Sequence, residues 1–357
     1  MSDPNWDDIV EPEPAPKPAA FSRRNLMLGG GGLLAAGALA GGLGFAGGKR
    51  PLPVNTKGQR KINLAWNANA VCLAPALLAK TEGIYEANGL DVELVNFAGS
   101  TDQLLEAIST GKADAGVGMI LRWMKPLEQG FDVKLIAGTH GGCLRLVGSR
   151  RHGVTDDVQS LRGKTIGVAE ISGAGRNALA VLLKAHGLDP NKDVEWRAFP
   201  SPLLAAASEK GEIQAFVDSD PLLYLLQKQS NGDLIEVMSN LTSPWNNRFC
   251  CALGMNSGIV RDDRTTAAAM ARSLVMAANI CSRDPARIAR AFAPFAKASE
   301  ADLIAVLKMQ THDHHPVGTA LRREVALYAG ELRDAGIMKA DLVPDQFAAS
   351  VTDNVLA

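Results

Sequence analysis

The chain has few aromatic residues and almost no net charge. Phe, Trp and Tyr make up 5% of its 357 residues, and the formal net charge is −1. The chain therefore has few residues from which to build a ligand site of the aromatic-cage type. The charge balance also excludes a basic surface of the kind that binds nucleic acid. We therefore expect no nucleic-acid partner.

The motifs of common catalytic sites are missing as well. The sequence has no Gly-x-Ser-x-Gly, Walker loop, His-Glu-x-x-His or dinucleotide fingerprint. Its five cysteines include no Cys-x-x-Cys or other zinc-finger spacing. The sequence thus predicts a protein that is not an enzyme and carries no cofactor.

Two adjacent arginines, Arg23 and Arg24, precede a Gly/Ala-rich apolar stretch. This layout is typical of a twin-arginine export signal. Residues 1–46 are interpreted as the signal and 47–60 as a linker, which predicts recognition by the twin-arginine export machinery and export to the periplasm in folded form. The alternative is a permanent membrane anchor, although its many glycines make insertion unfavourable.

Segments with strand-like and helix-like patterns then alternate in two series. Predicted strands lie at 62–66, 92–97, 115–119 and 133–137, and again at 165–169, 194–199, 215–217 and 234–238. Gly111 and Ala115 of the first series recur as Gly211 and Ala215 of the second. This alternation predicts two similar α/β lobes, each a mostly parallel sheet with helices on both faces. Beyond a strand at 249–256 the chain is helical, and this tail is expected to pack on the first lobe.

Four short motifs carry a family resemblance: residues 79–85, 89–93, 110–117 and 161–168. In order and spacing they resemble the periplasmic substrate-binding proteins of ABC importers. The similar group is the one for nitrate, sulfonate, taurine and bicarbonate, with relatives that bind thiamine-pyrimidine precursors. The resemblance implies a two-lobed, type II periplasmic-binding-protein fold with a ligand cleft between the lobes. Lobe one would comprise 61–143 and 250–357, and lobe two 144–249.

The same resemblance implies a function and partners. A monomeric periplasmic receptor would capture a small polar or anionic solute by hinge closure and deliver it to an ABC permease in the inner membrane. Two alternatives stay open. One is an enzyme similar to the pyrimidine synthases of thiamine biosynthesis, whose cysteine-rich cluster, thought to hold iron, is similar to Phe249-Cys250-Cys251. The other is a metal-dependent binding protein.

Candidate ligand-binding residues follow from the rule that strand carboxyl ends and helix N-termini face the cleft. Arg248 would supply a guanidinium for an anion, and Asp218 would favour an amine. Each candidate also has an ordinary structural interpretation, as a helix cap, core side chain or surface side chain. The full set is Trp66, Asn67, Ser100, Thr101, Met119, His140, Gly141, Ser172, Gly173, Ala174, Asp218 and Arg248.

The cysteines and histidines give two further predictions. The two crossing strands are expected to run side by side, with a disulfide from Cys143 to Cys250 or Cys251. Because adjacent strand residues face opposite ways, only one of the pair should meet Cys143. Three small buried hydrophobes are the alternative. His312, His314 and His315 are candidate metal ligands, with a solvated loop as the alternative.

Overall fold

The computed structural model describes residues 52–97, 101–243 and 245–357, without the side chains of 101–103. The predicted export signal with Arg23 and Arg24 lies outside the described residues, as does Ser100. Across the described part of the chain, no helix has the length and apolar character needed to cross a membrane.

The first sheet has five strands in the order β2-β1-β3-β10-β4. Strand β1 pairs in parallel with β2 and β3, whereas β10 is antiparallel to both β3 and β4. The strands are β1 (Arg60–Trp66), β2 (Leu90–Asn96), β3 (Ala115–Met119), β4 (Val133–His140) and β10 (Cys251–Asn256).

The second sheet repeats this order as β7-β6-β8-β5-β9. Strand β6 is parallel to β7 and β8, and β5 is antiparallel to β8 and β9. The strands are β5 (Leu144–Ser149), β6 (Thr165–Val168), β7 (Glu195–Ala198), β8 (Ala215–Ser219) and β9 (Leu234–Ser239). Each sheet is thus mixed, with one antiparallel strand inserted by the crossing chain.

Helices cover these sheets and form the C-terminal tail. The sheet-connecting helices are α1 (Ala74–Thr81), α2 (Ile84–Ala87), α3 (Thr101–Ser109), α4 (Ile120–Glu128), α5 (Ala174–Ala185), α6 (Leu204–Glu209) and α7 (Leu222–Gln229). The tail contains α8 (Ser257–Asp262), α9 (Arg264–Arg283), α10 (Pro285–Phe292), α11 (Glu300–Met309), α12 (Gly318–Asp334) and α13 (Pro344–Val351). Tail helix α9 packs on β4 and α1, and α12 and α13 pack on β4. The two sheets with their covering helices and this tail confirm the predicted fold class.

The internal repeat is a structural repeat. Strands β3 and β8 begin at Ala115 and Ala215, which are equivalent in the two sheets. The glycines before them, Gly111 and Gly211, both adopt left-handed φ values, +80° and +75°. Because this conformation is accessible to glycine at little cost, it ends the preceding helix in each lobe.

The second sheet has an apolar cluster on each of its two faces. Leu146 and Val217 pack in one apolar cluster with Ile166, while Val147 and Phe216 pack in a separate cluster. Neighbouring residues of a strand point to opposite faces of the sheet, so β5 and β8 contribute side chains to both clusters. Both faces of this sheet are therefore buried beneath helices.

Two expectations about local structure were wrong. The sequence pattern predicts one helix over 73–86, but the structure has two, α1 and α2, because Gly83 between them has a left-handed φ of +68°. The crossing strands do not run side by side, since β5 belongs to the second sheet and β10 to the first. The two crossings are nevertheless in contact. Gly142 approaches Asn240 so closely that a Cβ would lie 1.9 Å from its carbonyl oxygen, and the Cys250 amide donates to the His140 carbonyl at 2.6 Å.

Candidate functional site

A pocket lies where strands of both sheets end. Trp66, Met119 and Ser219 are the last residues of β1, β3 and β8, and all three line it. The carboxyl ends of strands in an open α/β sheet are the usual place for a ligand. We call this pocket the cleft, and its lining is Trp66, Asn67, Ala70, Cys72, Leu73, Phe97, Leu104, Val117, Gly118, Met119, Arg122, Trp123, Ser219 and Cys251.

Arg122 brings the positive charge into the cleft. It lies in the first turn of α4, directly after β3. Its terminal nitrogen donates to Glu170 Oε2 at 3.2 Å, and Glu170 follows β6 of the second sheet. Its Nε is buried and has no hydrogen-bond partner within the described residues. A buried guanidinium N–H without a partner is costly, and Arg122 is the arginine that lines the cleft.

The cleft walls are aromatic and aliphatic. Trp66 is buried and packs edge-on against Phe292 and Phe295, with ring centroids 6.4 and 6.0 Å away. Trp123 reaches the cleft beside Gly118, where a Cβ would lie 2.8 Å from its indole nitrogen. Glycine at 118 is therefore required for this close packing. Such walls suit a solute with an apolar part as well as a polar head.

A second, more apolar pocket adjoins the cleft through Met119, which lines both. Its other lining residues are Ile120, Leu121, Leu144, Ala174, Ala178, Leu182, Asn240, Trp245, Cys250 and Tyr328. Across it, the buried Asn177 side chain of α5 donates to the Leu121 carbonyl of α4 at 2.9 Å. This bond and the Arg122–Glu170 pair join the two lobes on the cleft side.

Arg248, the guanidinium expected in the site, has other partners. It donates to Glu331 Oε1 at 2.7 Å and lies 4.4 Å from the centre of the Trp245 ring. Its charge is thus matched by the tail helix α12. Asp218 accepts from the Ser219 amide at 2.7 Å, while its Oδ2 is buried without a partner in the described structure. Burial raises the pKa of Asp218, partly offset by its hydrogen bonds and by the charge of Arg122.

The predicted helix N-termini are only partly near the pockets. Gly173 is the N-cap of α5 and Ala174 lines the second pocket, whereas Ser172 is exposed. Thr101 begins α3, but its side chain lies outside the described residues. Asn67 lines the cleft and accepts from the Asn69 amide at 2.9 Å.

His140 and Gly141 are not among the residues that line the cleft. His140 belongs to a cysteine-rich cluster next to the cleft. We define the sulfur cluster as Cys72, His140, Cys143, Cys250 and Cys251, all of them buried. The donor atoms of Cys72, His140, Cys143 and Cys251 all lie within 4.8 Å of one another. The sulfurs of Cys143 and Cys250 are 3.3 Å apart, and both residues are free thiols here. The disulfide stays a prediction.

The expectation that only one of the adjacent cysteines meets Cys143 was wrong. Both Cys250 and Cys251 approach it, because Cys250 precedes β10 and is not bound by the alternation of a strand. The hydrogen bond between the Cys143 and Cys250 thiols lowers the pKa of Cys250 and raises the pKa of Cys143. Burial lowers the pKa of His140, but Cys72 and Cys250 raise it to about 9.

The three candidate metal histidines bond to three different groups. His312 Nε2 is 3.2 Å from Gln310 Oε1, and His315 Nδ1 is 3.1 Å from the Thr139 carbonyl. His314 Nε2 lies 2.8 Å from Glu324 Oε1. The histidine segment is therefore tied to the fold by separate hydrogen bonds, and the buried ring of His312 lies against His140 with centroids 5.6 Å apart.

The His314–Glu324 pair predicts a pH dependence of stability. Hydrogen bonding to Glu324 raises the pKa of His314. Its contribution is therefore complete below the unfolded pKa and is lost as the pH rises through the folded pKa. We expect His314→Gln to lower the free energy of unfolding at about pH 6, where unfolded histidine is mostly charged, by up to about 1 kcal/mol, and to have no effect at about pH 9.

Urea denaturation of both proteins at both pH values measures this, because titrations elsewhere cancel in the difference. His186→Gln, at an exposed position, is the matched control and should show no such difference. Equal destabilisation by His314→Gln at both pH values would contradict the prediction.

Sequence reasoning missed Arg122, Phe97, Ser219 and Cys72. Arg122 and Ser219 follow the same strand-end rule that selected Trp66 and Met119, and that signal could have found them. No sequence motif pointed to Cys72, because the other residues of the sulfur cluster lie far away in the sequence.

Solved structures with the same fold include an alkanesulfonate-binding protein and a nitrate-binding protein. The alkanesulfonate-binding protein SsuA from Xanthomonas axonopodis pv. citri, bound to MOPS, superposes with a TM-score of 0.68 at 16% identity, covering 82% of this chain and 98% of that one. The periplasmic nitrate-binding protein NrtA from Synechocystis PCC 6803 gives 0.68 at 15% identity, covering 83% and 86%. At sequence identities of 15–16%, this structural similarity establishes a shared fold and not a shared ligand.

Curated relatives give a shorter match. The 4-amino-5-hydroxymethyl-2-methylpyrimidine phosphate synthase of Saccharomyces cerevisiae is 32% identical over 120 residues, which is 32% of this chain and 34% of that protein. The synthase of Candida albicans is 30% identical over 138 residues, 38% and 39% of the two chains. The chain thus matches little more than a third of the length of these relatives. Residues 55–294 match the model of the NMT1-like family, well over half of the chain, and the chain belongs to that family.

Proposed function

We propose that the protein is a periplasmic receptor that captures a small anionic solute in the cleft and delivers it to an ABC permease. The observation that carries this proposal is the buried, unpartnered Nε of Arg122 in a pocket at the strand ends of both sheets. A desolvated guanidinium recognises a sulfonate or carboxylate by parallel hydrogen bonds. The shared fold of SsuA and NrtA supports the receptor function.

The lining narrows the class of solute. Trp66, Phe97 and Leu104 supply apolar walls, and Asn67 and Ser219 supply polar groups. A bare nitrate or bicarbonate ion would leave these walls in contact with water, so we favour a sulfonate or carboxylate with an organic part. The unpartnered Oδ2 of Asp218, next to Ser219, would suit an amine or amide on the same solute.

Closure of the cleft is part of the proposal. The chain crosses between sheets twice, between His140 and Leu144 and between Ser239 and Cys251. Bending at these crossings would open the lobes and separate Arg122 from Glu170. We propose that lobe one comprises residues 61–143 and 250–357 and that lobe two comprises residues 144–249. We also propose that the protein acts as a monomer and is exported by the twin-arginine route.

A thermal-shift screen of residues 47–357 tests the receptor proposal. Sulfonates, taurine, carboxylates, nitrate, bicarbonate and pyrimidines are compared at equal concentration. A solute at a hundred times its dissociation constant stabilises the folded protein by about 2.7 kcal/mol, a shift of several degrees. We expect a shift from organic sulfonates or carboxylates. Shifts from pyrimidines alone would contradict an anion receptor.

An enzyme of the same fold is the second candidate. The observation that favours it is the identity of 32% to a pyrimidine phosphate synthase, together with a sulfur cluster whose Cys72 and Cys251 line the cleft. Incubation with pyridoxal or pyrimidine compounds, followed by mass spectrometry of the solution, tests it. A new product formed by the wild-type chain supports this candidate, whereas unchanged compounds argue against it.

A further inference from the structure

Four donors from separate parts of the chain converge under the cleft. Cys72 lies in the 3-10 turn after β1, His140 ends β4, Cys143 is in the first crossing, and Cys251 begins β10. Their donor atoms are mutually within 4.8 Å, and each residue is at most 2% exposed. A tetrahedral zinc site with three sulfurs and one nitrogen has donor separations of about 3.5–3.8 Å. Small side-chain rotations would bring this set to that geometry.

His140 is held with one nitrogen directed away from the backbone. Its Nδ1 is hydrogen-bonded to the Gly141 carbonyl, which requires the proton on Nδ1 when the ring is neutral. Its Nε2 is buried and lacks a hydrogen-bond partner in the described chain. Fixing one ring nitrogen on a carbonyl is the usual way that proteins orient a metal-binding histidine. The unpartnered Nε2 is thus an independent sign of a ligand.

We propose that Cys72, His140, Cys143 and Cys251 bind one thiophilic divalent metal ion, with zinc as the reference ion. Three thiolates and an imidazole form a Cys3His set, which prefers zinc over hard cations such as magnesium or calcium. The metal replaces the thiol protons on binding, which are released to solvent. All four side chains coordinate the ion, which lies at the floor of the cleft.

The site would join the segments that hold the lobes together. Cys72 and Cys251 also line the cleft, whereas His140 and Cys143 flank the first crossing. A metal bound by all four would fix the first crossing to β1 and β10 and make the cleft floor rigid. This inference does not depend on which solute the receptor binds.

The predicted disulfide competes with this metal site. Cys143 lies 3.3 Å from Cys250, which is outside the four-donor set, and a bond between the two sulfurs would remove Cys143 from the metal. Replacing Cys250 removes the Cys143–Cys250 disulfide and leaves every proposed ligand in place, whereas the alternative Cys143–Cys251 disulfide would use two of the proposed ligands. Cys281, buried in α9, is a matched cysteine outside the cluster.

Metal content and a cobalt spectrum test the proposal on the folded chain. The full chain is purified with a mild reductant, stripped with a chelator and titrated with zinc or with cobalt. We expect one equivalent of either ion, and for cobalt the intense thiolate charge-transfer band and the visible bands of tetrahedral coordination. This readout uses the wild-type protein and does not depend on a variant that fails to fold.

Variants then assign the ligands. Cys251→Ser and His140→Asn should weaken zinc binding at least tenfold in chelator competition, while Cys250→Ser and Cys281→Ser should retain it. The proposal would be overturned if the chain bound less than a tenth of an equivalent of metal or lacked the tetrahedral cobalt spectrum. It would also be overturned if Cys251→Ser bound zinc as tightly as the wild-type chain. A Cys143–Cys250 disulfide in the non-reduced digest of the natively purified chain would overturn it as well.

Discussion

Replacement of Arg122 by alanine is expected to weaken solute binding by about 30-fold or more. Removing one partner of a desolvated, hydrogen-bonded charge pair costs about 2–5 kcal/mol, and each 1.4 kcal/mol is tenfold in affinity. Arg122 lines the cleft, and its Nε has no protein acceptor in the described residues. Isothermal titration with the solute found by the thermal-shift screen measures the change.

Glu170→Gln is the matched control for Arg122→Ala. It breaks the 3.2 Å pair between the lobes but leaves the guanidinium in the cleft. If Arg122 binds the anion, Glu170→Gln retains affinity, whereas Arg122→Lys keeps the charge, loses the planar fork and is intermediate. Equal weakening by Glu170→Gln and Arg122→Ala would show that the pair between the lobes, and not the cation, sets affinity.

Asp220→Asn is expected to destabilise the protein by about 3 kcal/mol or more. Asp220 is fully buried and accepts from Arg145 Nε with both oxygens, at 3.0 and 2.9 Å. Removal of one partner from a buried pair leaves the other charge without compensation, which costs about 3–5 kcal/mol. Glu236 also contacts Arg145, so we expect the lower end of that range. The free energy of unfolding from urea denaturation is the measurement.

Glu236→Gln provides the comparison for Asp220→Asn. Glu236 contacts the same guanidinium, but its side chain is 29% exposed, so its removal should cost no more than about 1 kcal/mol. An Asp220→Asn protein as stable as the wild type would contradict a folded state held by this buried pair.

The fold was predictable because its signals are local. Apolar strands alternate with amphipathic helices, and glycines such as Gly111 and Gly211 end helices at equivalent places in both lobes. The sheets to which β5 and β10 belong were harder to predict from the sequence. Each crossing strand pairs with strands far away in the sequence, so its sheet is decided by tertiary packing and not by its own residues.

The candidate site was only partly predictable for the same reason. Trp66, Asn67 and Met119 line the cleft because the strand-end rule fixes their place. The rule does not fix which arginine faces inward: Arg248 pairs with Glu331, 83 residues away, whereas Arg122 faces the cleft. The sulfur cluster has no spacing motif, because its four converging donors come from Cys72 to Cys251 and meet only through the topology.

The most direct test of the receptor account is a calorimetric titration whose sample is then analysed for the fate of the solute. Residues 47–357 are titrated with the solute that gave a thermal shift, and the mixture is examined by mass spectrometry after prolonged incubation. The account predicts saturable binding of one solute per chain and quantitative recovery of the unchanged solute. Conversion of the solute to a new product, or heat without saturation, would contradict a receptor that captures and delivers its ligand.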